Sequence, residues 1–117
     1  MIGKYEVVTL CGSTRFKDDF INVQKELTLK GCIVISVGLF GHSGDVITYE
    51  QKLILDDMHK RKIDMADTVF VINRDGYIGE STESEIEYAE SLGKSIAYLE
   101  SCGRDEGDED AIIGHIN

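Results

Sequence analysis

The stretch DTVFVIN, Asp67 to Asn73, places five consecutive β-branched or aromatic residues between an Asp and an Asn. An unbroken apolar run of this length, without polar alternation, is the pattern of a strand covered on both faces, as strands in the middle of a parallel sheet are. Working outward on its amino side, no Gly interrupts Thr48 to Ala66; Leu55, Met58 and Met65 share one face, and Leu55, His59 and Ile63 share the neighbouring one. That spacing predicts a helix. On the carboxyl side the pattern predicts a loop from Arg74 to Glu80, a helix from Ser81 to Leu92, a stop at Gly93 and a strand over SIAYL, Ser95 to Leu99.

The first part of the chain repeats the alternation. KYEVVTLC, Lys4 to Cys11, predicts a strand ending at Gly12; Phe16, Phe20, Val23 and Leu27 then recur at helical spacing until Gly31, and CIVISV, Cys32 to Val37, is a second continuous apolar run. Gly38 to Asp45, with three glycines, predicts a loop. Strands alternating with helices imply a single α/β domain, Rossmann-like or flavodoxin-like, with a parallel sheet in the order 2-1-3-4, helices on both faces and room for a fifth strand. Ligands of such sheets bind beyond the carboxyl ends of the strands at the switch point. Two loops meet there: Cys11-Gly12-Ser13-Thr14-Arg15, and Asn73 through Thr82.

The chain of 117 residues carries 12 Lys and Arg against 22 Asp and Glu, a net charge of −10, which opposes binding of a nucleic-acid polymer. Half of that surplus lies between Glu100 and Asp110, where six acids face one Arg. The division expected is therefore a folded domain over 1–99 and an acidic, solvated tail over 100–117, in which Ala111, Ile112, Ile113 and Ile116 form a last apolar patch. No run approaches the roughly 18 apolar residues of a membrane span, and no signal peptide is read, so a cytoplasmic protein without a membrane partner is expected. Cys11, Cys32 and Cys102 have neither a paired framework nor the spacing of metal ligands; reduced thiols, no metal and no cofactor are expected.

In the first loop Gly12 allows a close approach of backbone to ligand, Ser13 and Thr14 offer hydroxyls at a helix start, and Arg15 adds a positive fork. The group suits a phosphate, and equally suits an N-cap beside a surface Arg. Cys11 reads as a small buried hydrophobe. In the last helix Glu83, Glu87 and Glu90 share the solvated face, whereas Glu85 lies with Ala89 and Leu92 at the edge of the apolar stripe. A carboxylate so placed is a candidate for catalysis, yet Thr82-x-x-Glu85 is also the spacing of a capping box. His59 is either a core-edge residue or a proton donor, with Asp64 as a second donor. Tyr49 and Tyr77 could stack on a base or simply pack. Lys60-Arg61-Lys62 reads as a solvated helix face.

Three segments, CGSTRF, KIDMADTVFVIN and GYIGESTESEIEYAESLGK, resemble the nucleoside 2-deoxyribosyltransferase superfamily, including its relatives that hydrolyse deoxynucleoside 5′-monophosphates. The similarity runs to about Leu99, and its most specific part is the Glu in Ser-Glu-Ile-Glu-Tyr-Ala. The resemblance implies that Glu85 is the carboxylate nucleophile, that Ser13 and Arg15 hold a 5′-phosphate, and that Ser81 and Thr82 belong to the loop completing the site; Gly12, Thr14, Tyr77 and Gly79 are further candidates for binding the substrate. His59 stands where the resemblance implies an Asp assisting the leaving base. GESTESE also resembles the motif of the lysine-decarboxylase-like phosphoribohydrolases, which cleave base from sugar. The expected activity is cleavage or transfer at the N-glycosidic bond of a nucleoside or nucleoside 5′-monophosphate, in a homo-oligomer; the alternative is a nucleotide-binding module without turnover.

Overall fold

A computed structural model describes residues 1–38 and 46–100. Four strands, β1 (Val7–Gly12), β2 (Ile33–Ile35), β3 (Thr68–Ile72) and β4 (Ser95–Tyr98), form one parallel sheet in the order 2-1-3-4. Three helices alternate with them: α1 (Lys17–Leu29), α2 (Tyr49–Asp64) and α3 (Glu80–Ser91). The register sets Val8 against both Val34 and Thr68, and Gly12 against Ile72, so β1 and β3 end together at the switch point.

Strand periodicity divides the core into two layers, because alternate side chains leave the sheet on opposite faces. Val8, Leu10, Phe70, Ile72 and Ala97 meet Phe20, Val23 and Leu27 of α1. On the other face Cys11, Val69 and Val71 meet Ile63 of α2 and Ile86 and Ala89 of α3. Helices therefore cover both faces, and DTVFVIN is buried over the whole of β3. CIVISV differs from the strand expected: only Ile33–Ile35 pair, and Ile33 is exposed. With β1 as its neighbour on one side, β2 is an edge strand in the order 2-1-3-4, so full cover on both faces is not required of it.

The helix ends depart from expectation at two places. A 3-10 turn, Thr14–Phe16, separates Ser13 from α1, and Ser13 caps that turn rather than the helix. Helix α3 begins at Glu80 with Gly79 as its N-cap, which carries Thr82 and Glu85 into the helix. The capping box expected at Thr82 and Glu85 is thus not formed; the one present joins Thr48 and Gln51 at the start of α2. Glu100, assigned to a solvated tail, is held instead: its backbone exchanges two hydrogen bonds of 2.9 Å with the fully buried Asn73 side chain, and its carboxylate accepts from Arg74 and from the Asp75 amide. Residues 39–45 of the expected loop, and residues 101–117, for which a solvated tail with an apolar patch is expected, lie outside the described residues, and the described residues form four strands. Among the described residues no helix is long and apolar enough to cross a membrane.

Candidate active site

The carboxyl ends of β1 and β3 open into a cleft of about 480 Å³ bounded by α2 and the start of α3. Gly12 forms its edge. The backbone there has φ +153°, and a Cβ would stand 2.8 Å from the Ile72 carbonyl oxygen, so no side chain fits where the two strands run closest.

At the mouth, Arg15 lies with its guanidinium 4.2 Å from the centre of the Tyr77 ring and donates to the Tyr77 hydroxyl at 3.3 Å. Its Nε donates to Ser13 Oγ at 3.2 Å, and Phe16 and Tyr77 meet edge-on with ring centres 6.0 Å apart. The loop after β1 and the loop after β3 are thereby joined through one exposed aromatic ring, with a cation over its face.

At the floor, three side chains from three elements converge. Cys11 Sγ of β1 lies 3.3 Å from His59 Nε2 of α2, and His59 Nε2 lies 3.8 Å from Glu85 Oε1 of α3. One ligand atom from each of the three falls within 4.8 Å of the others. Helical spacing explains two of the placements: Leu55, His59 and Ile63 of α2 turn toward the sheet, and Glu85 sits beside Thr82, Ile86 and Ala89, all buried, on the packed side of α3. Burial raises the Glu85 carboxyl to about 7, against a smaller lowering by its hydrogen bond to Cys11. Burial lowers His59 to about 4, with the Lys62 charge acting in the same direction. The contact between His59 and Glu85 is within ion-pair distance, but at neutral pH the imidazole is uncharged, so the contact is a polar one between a neutral ring and a carboxyl that titrates near neutrality. Burial, with the Glu85 charge second, keeps Cys11 as a thiol.

Gly12, Ser13, Thr14, Arg15, His59, Tyr77, Gly79, Ser81, Thr82 and Glu85 all line this one cleft. Asp64 does not. It is the last residue of α2, on a side away from the cleft, where it accepts from the Tyr88 hydroxyl at 2.6 Å and pairs with Arg61 at 2.9 Å. Tyr49 is exposed and lies away from the cleft walls. Lys52 and Lys62 line the cleft and escaped the sequence reading, as did the polar contacts of Cys11 behind it. Cys11 is buried as expected, yet it has polar partners. Lys62, assigned to a solvated basic face, lines the cleft and donates to the Ser36 carbonyl at 2.8 Å; its loss of solvent lowers its pKa. Lys52, Leu55, Asp56, His59 and Lys62 recur at three- and four-residue intervals, so helical periodicity was the signal that could have found Lys62.

No protein-family model matches the chain, and no curated protein matches it.

Proposed function

We propose that the protein cleaves or transfers at the N-glycosidic bond of a nucleoside or nucleoside 5′-monophosphate, with Glu85 as the carboxylate that meets the sugar. The observation that carries this reading is a half-buried carboxyl of raised pKa on the floor of the same cleft whose mouth holds Ser13 and Arg15. A cleft of about 480 Å³ falls within the size range of small-molecule sites. The sequence resemblance in SEIEYA points to the same carboxylate.

In this reading the bond from the anomeric carbon to the base breaks, the electron pair leaves with the base, and positive charge develops on the sugar. Ionised Glu85 stabilises that charge or adds to the carbon as a glycosyl ester, which water or a second base then resolves. The base takes up one proton. A neutral His59 is poorly suited to supply it, so its part is to orient the Glu85 carboxyl, and the proton comes from solvent in the cleft. Arg15 and Ser13 bind the 5′-phosphate by charge-assisted hydrogen bonds.

The alternative, a nucleotide-binding module without turnover, is favoured by that same neutral His59, since among the described residues no protonated imidazole stands beside the carboxylate. The two readings separate in one experiment. The purified chain is incubated with a panel of nucleosides and 5′-monophosphates, free base is measured by chromatography, and thermal shifts are recorded in parallel. Base release that falls at least roughly 100-fold in Glu85→Gln supports the glycosidic reading. Stabilisation by a nucleotide with no base release supports the binding module, and base release undiminished by Glu85→Gln removes Glu85 from its role.

A further inference from the structure

The floor of the cleft has a second chemical capacity. A thiol, an imidazole and a carboxyl converge there from β1, α2 and α3, positions separated by 48 and then 26 residues in the chain. We propose that Cys11, His59 and Glu85 form a site for a thiophilic divalent cation of the Zn²⁺ class, with the fourth coordination position open to the cleft.

Geometry supports three-ligand capture. A tetrahedral Zn²⁺ with bonds of about 2.3 Å to sulfur and about 2.0 Å to nitrogen and oxygen sets its sulfur and nitrogen ligands about 3.6 Å apart, and its nitrogen and oxygen ligands about 3.3 Å apart. The corresponding separations are 3.3 Å for Cys11 Sγ to His59 Nε2 and 3.8 Å for His59 Nε2 to Glu85 Oε1. Each lies within a few tenths to half an ångström of the required edge, a shift that side-chain rotation supplies. The donor set is mixed soft and borderline, which selects Zn²⁺ and its neighbours over Mg²⁺ or Ca²⁺.

Charge supports it as well. One thiolate, one carboxylate and one neutral imidazole neutralise a divalent ion, and a neutral assembly is the kind a partly buried site tolerates. Binding expels the thiol proton, and the proton of Glu85 where it is held. Lys62 and Lys52, which also line the cleft, oppose the ion, and Asp56 favours it. His59 and Glu85 both line the cleft, which provides the way in, and Cys11 lies directly behind them. Of the polar features outside the mouth, this cluster alone among the described residues brings three metal-ligating side chains together.

This site goes beyond the glycosidic reading and does not depend on it, because its readout is spectroscopic. The test uses the full chain carrying Cys32→Ser and Cys102→Ser, so that Cys11 is the remaining thiol, and Co²⁺ and Zn²⁺ are the probes. Expected on addition of Co²⁺ is a thiolate-to-cobalt charge-transfer absorption that saturates at one ion per chain and is removed by Zn²⁺. Glu85→Gln and His59→Gln, added singly to that chain, each weaken Co²⁺ binding at least roughly tenfold, since even residues behind the ligands cost that much. Thermal unfolding without metal shows whether each variant folds. X-ray absorption at the Zn edge on the chain with Cys11 intact supplies a measurement independent of those variants: one sulfur and one imidazole are expected around the ion. No charge-transfer band from the folded chain, no sulfur around Zn²⁺, or an affinity unmoved in folded Glu85→Gln and His59→Gln chains overturns the proposal.

Discussion

Glu85 and His59 are pushed in opposite directions by the same cause, loss of solvent, and their consequences for stability have opposite signs. Glu85 is raised from 4.5 to about 7 on folding, so between those values the unfolded chain gives up a proton that the folded chain keeps, and stability falls as pH rises. His59 is lowered from 6.5 to about 4, so over that window the unfolded chain binds a proton that the folded chain refuses, and stability rises with pH. Each effect amounts to up to about 3 kcal/mol. In the shared window the slopes offset each other. We therefore expect the metal-free chain to show a nearly flat contribution from this pair between about pH 4.5 and 6.5, Glu85→Gln to grow more stable as pH rises toward 6.5, and His59→Gln to lose stability up to about pH 7. Urea unfolding at a series of pH values, with chelator present, measures all three. If base is released, its rate climbs through about pH 7 as Glu85 ionises.

At the mouth, the proposed function assigns Arg15 to phosphate recognition and Glu85 to the sugar, and a substitution can separate the two. Arg15→Ala removes the fork and the contact with Tyr77 but leaves the floor intact. A charge-assisted hydrogen bond contributes about 1.5–3 kcal/mol, so the expected outcome is a KM for 5′-monophosphates raised roughly 10- to 100-fold, with free nucleosides little affected. Steady-state kinetics on a matched nucleoside and monophosphate pair checks this; an equal loss on both removes Arg15 from phosphate binding. The sequence identified both Arg15 and Glu85 because a polar loop after a strand and a carboxylate on an apolar stripe are local patterns. It left the role of Glu85 open against a capping box, since that spacing fits a helix capped by Thr82. A start at Glu80 removes the capping box by carrying Glu85 one turn into the helix.

The elements matter to the site through their ends. β1 stops where Gly12 meets Ile72 of β3, and the chain can turn there because Gly12 has no side chain to strike that backbone. Gly12→Ala forces both an unfavourable φ and a contact under 3 Å, and is expected to cost about 1–3 kcal/mol, read as a lower urea midpoint at unchanged slope. The next residues form a 3-10 turn rather than the first turn of α1, which moves Arg15 off the helix and over Tyr77. Sequence periodicity does not resolve that difference, because Phe16 fits the apolar face of α1 by spacing and packs against its core cluster from outside the helix.

Across the whole molecule, burial is graded by position in the sheet. β1 and β3 are paired on both edges and covered on both faces, while β2 is an edge strand of three residues. Amide hydrogen exchange is therefore expected to be slowest in Val8–Cys11 and Val69–Ile72 and measurably faster in Ile33–Ile35, as followed by NMR or mass spectrometry. Exchange in β2 as slow as in β3 would mean that its edge is covered.

The order of elements, the parallel sheet and its 2-1-3-4 arrangement followed from the sequence, because hydrophobic period and glycine stops are local and a right-handed crossover leaves few ways to stack them. The two loops of the cleft followed for the same reason. Which side chains meet at its floor did not follow. Cys11, His59 and Glu85 are distant in the chain, each alone has an ordinary structural explanation, and no spacing rule links a strand residue to two helices. Packing α2 and α3 against one face of the sheet brings the three within hydrogen-bond and ion-pair reach, and the solvent lost in doing so sets their protonation. The same packing turns Asp64 away from the cleft and Lys62 into it. Distance and dielectric environment are properties of the folded chain, and they exist only once the helices are packed on the sheet.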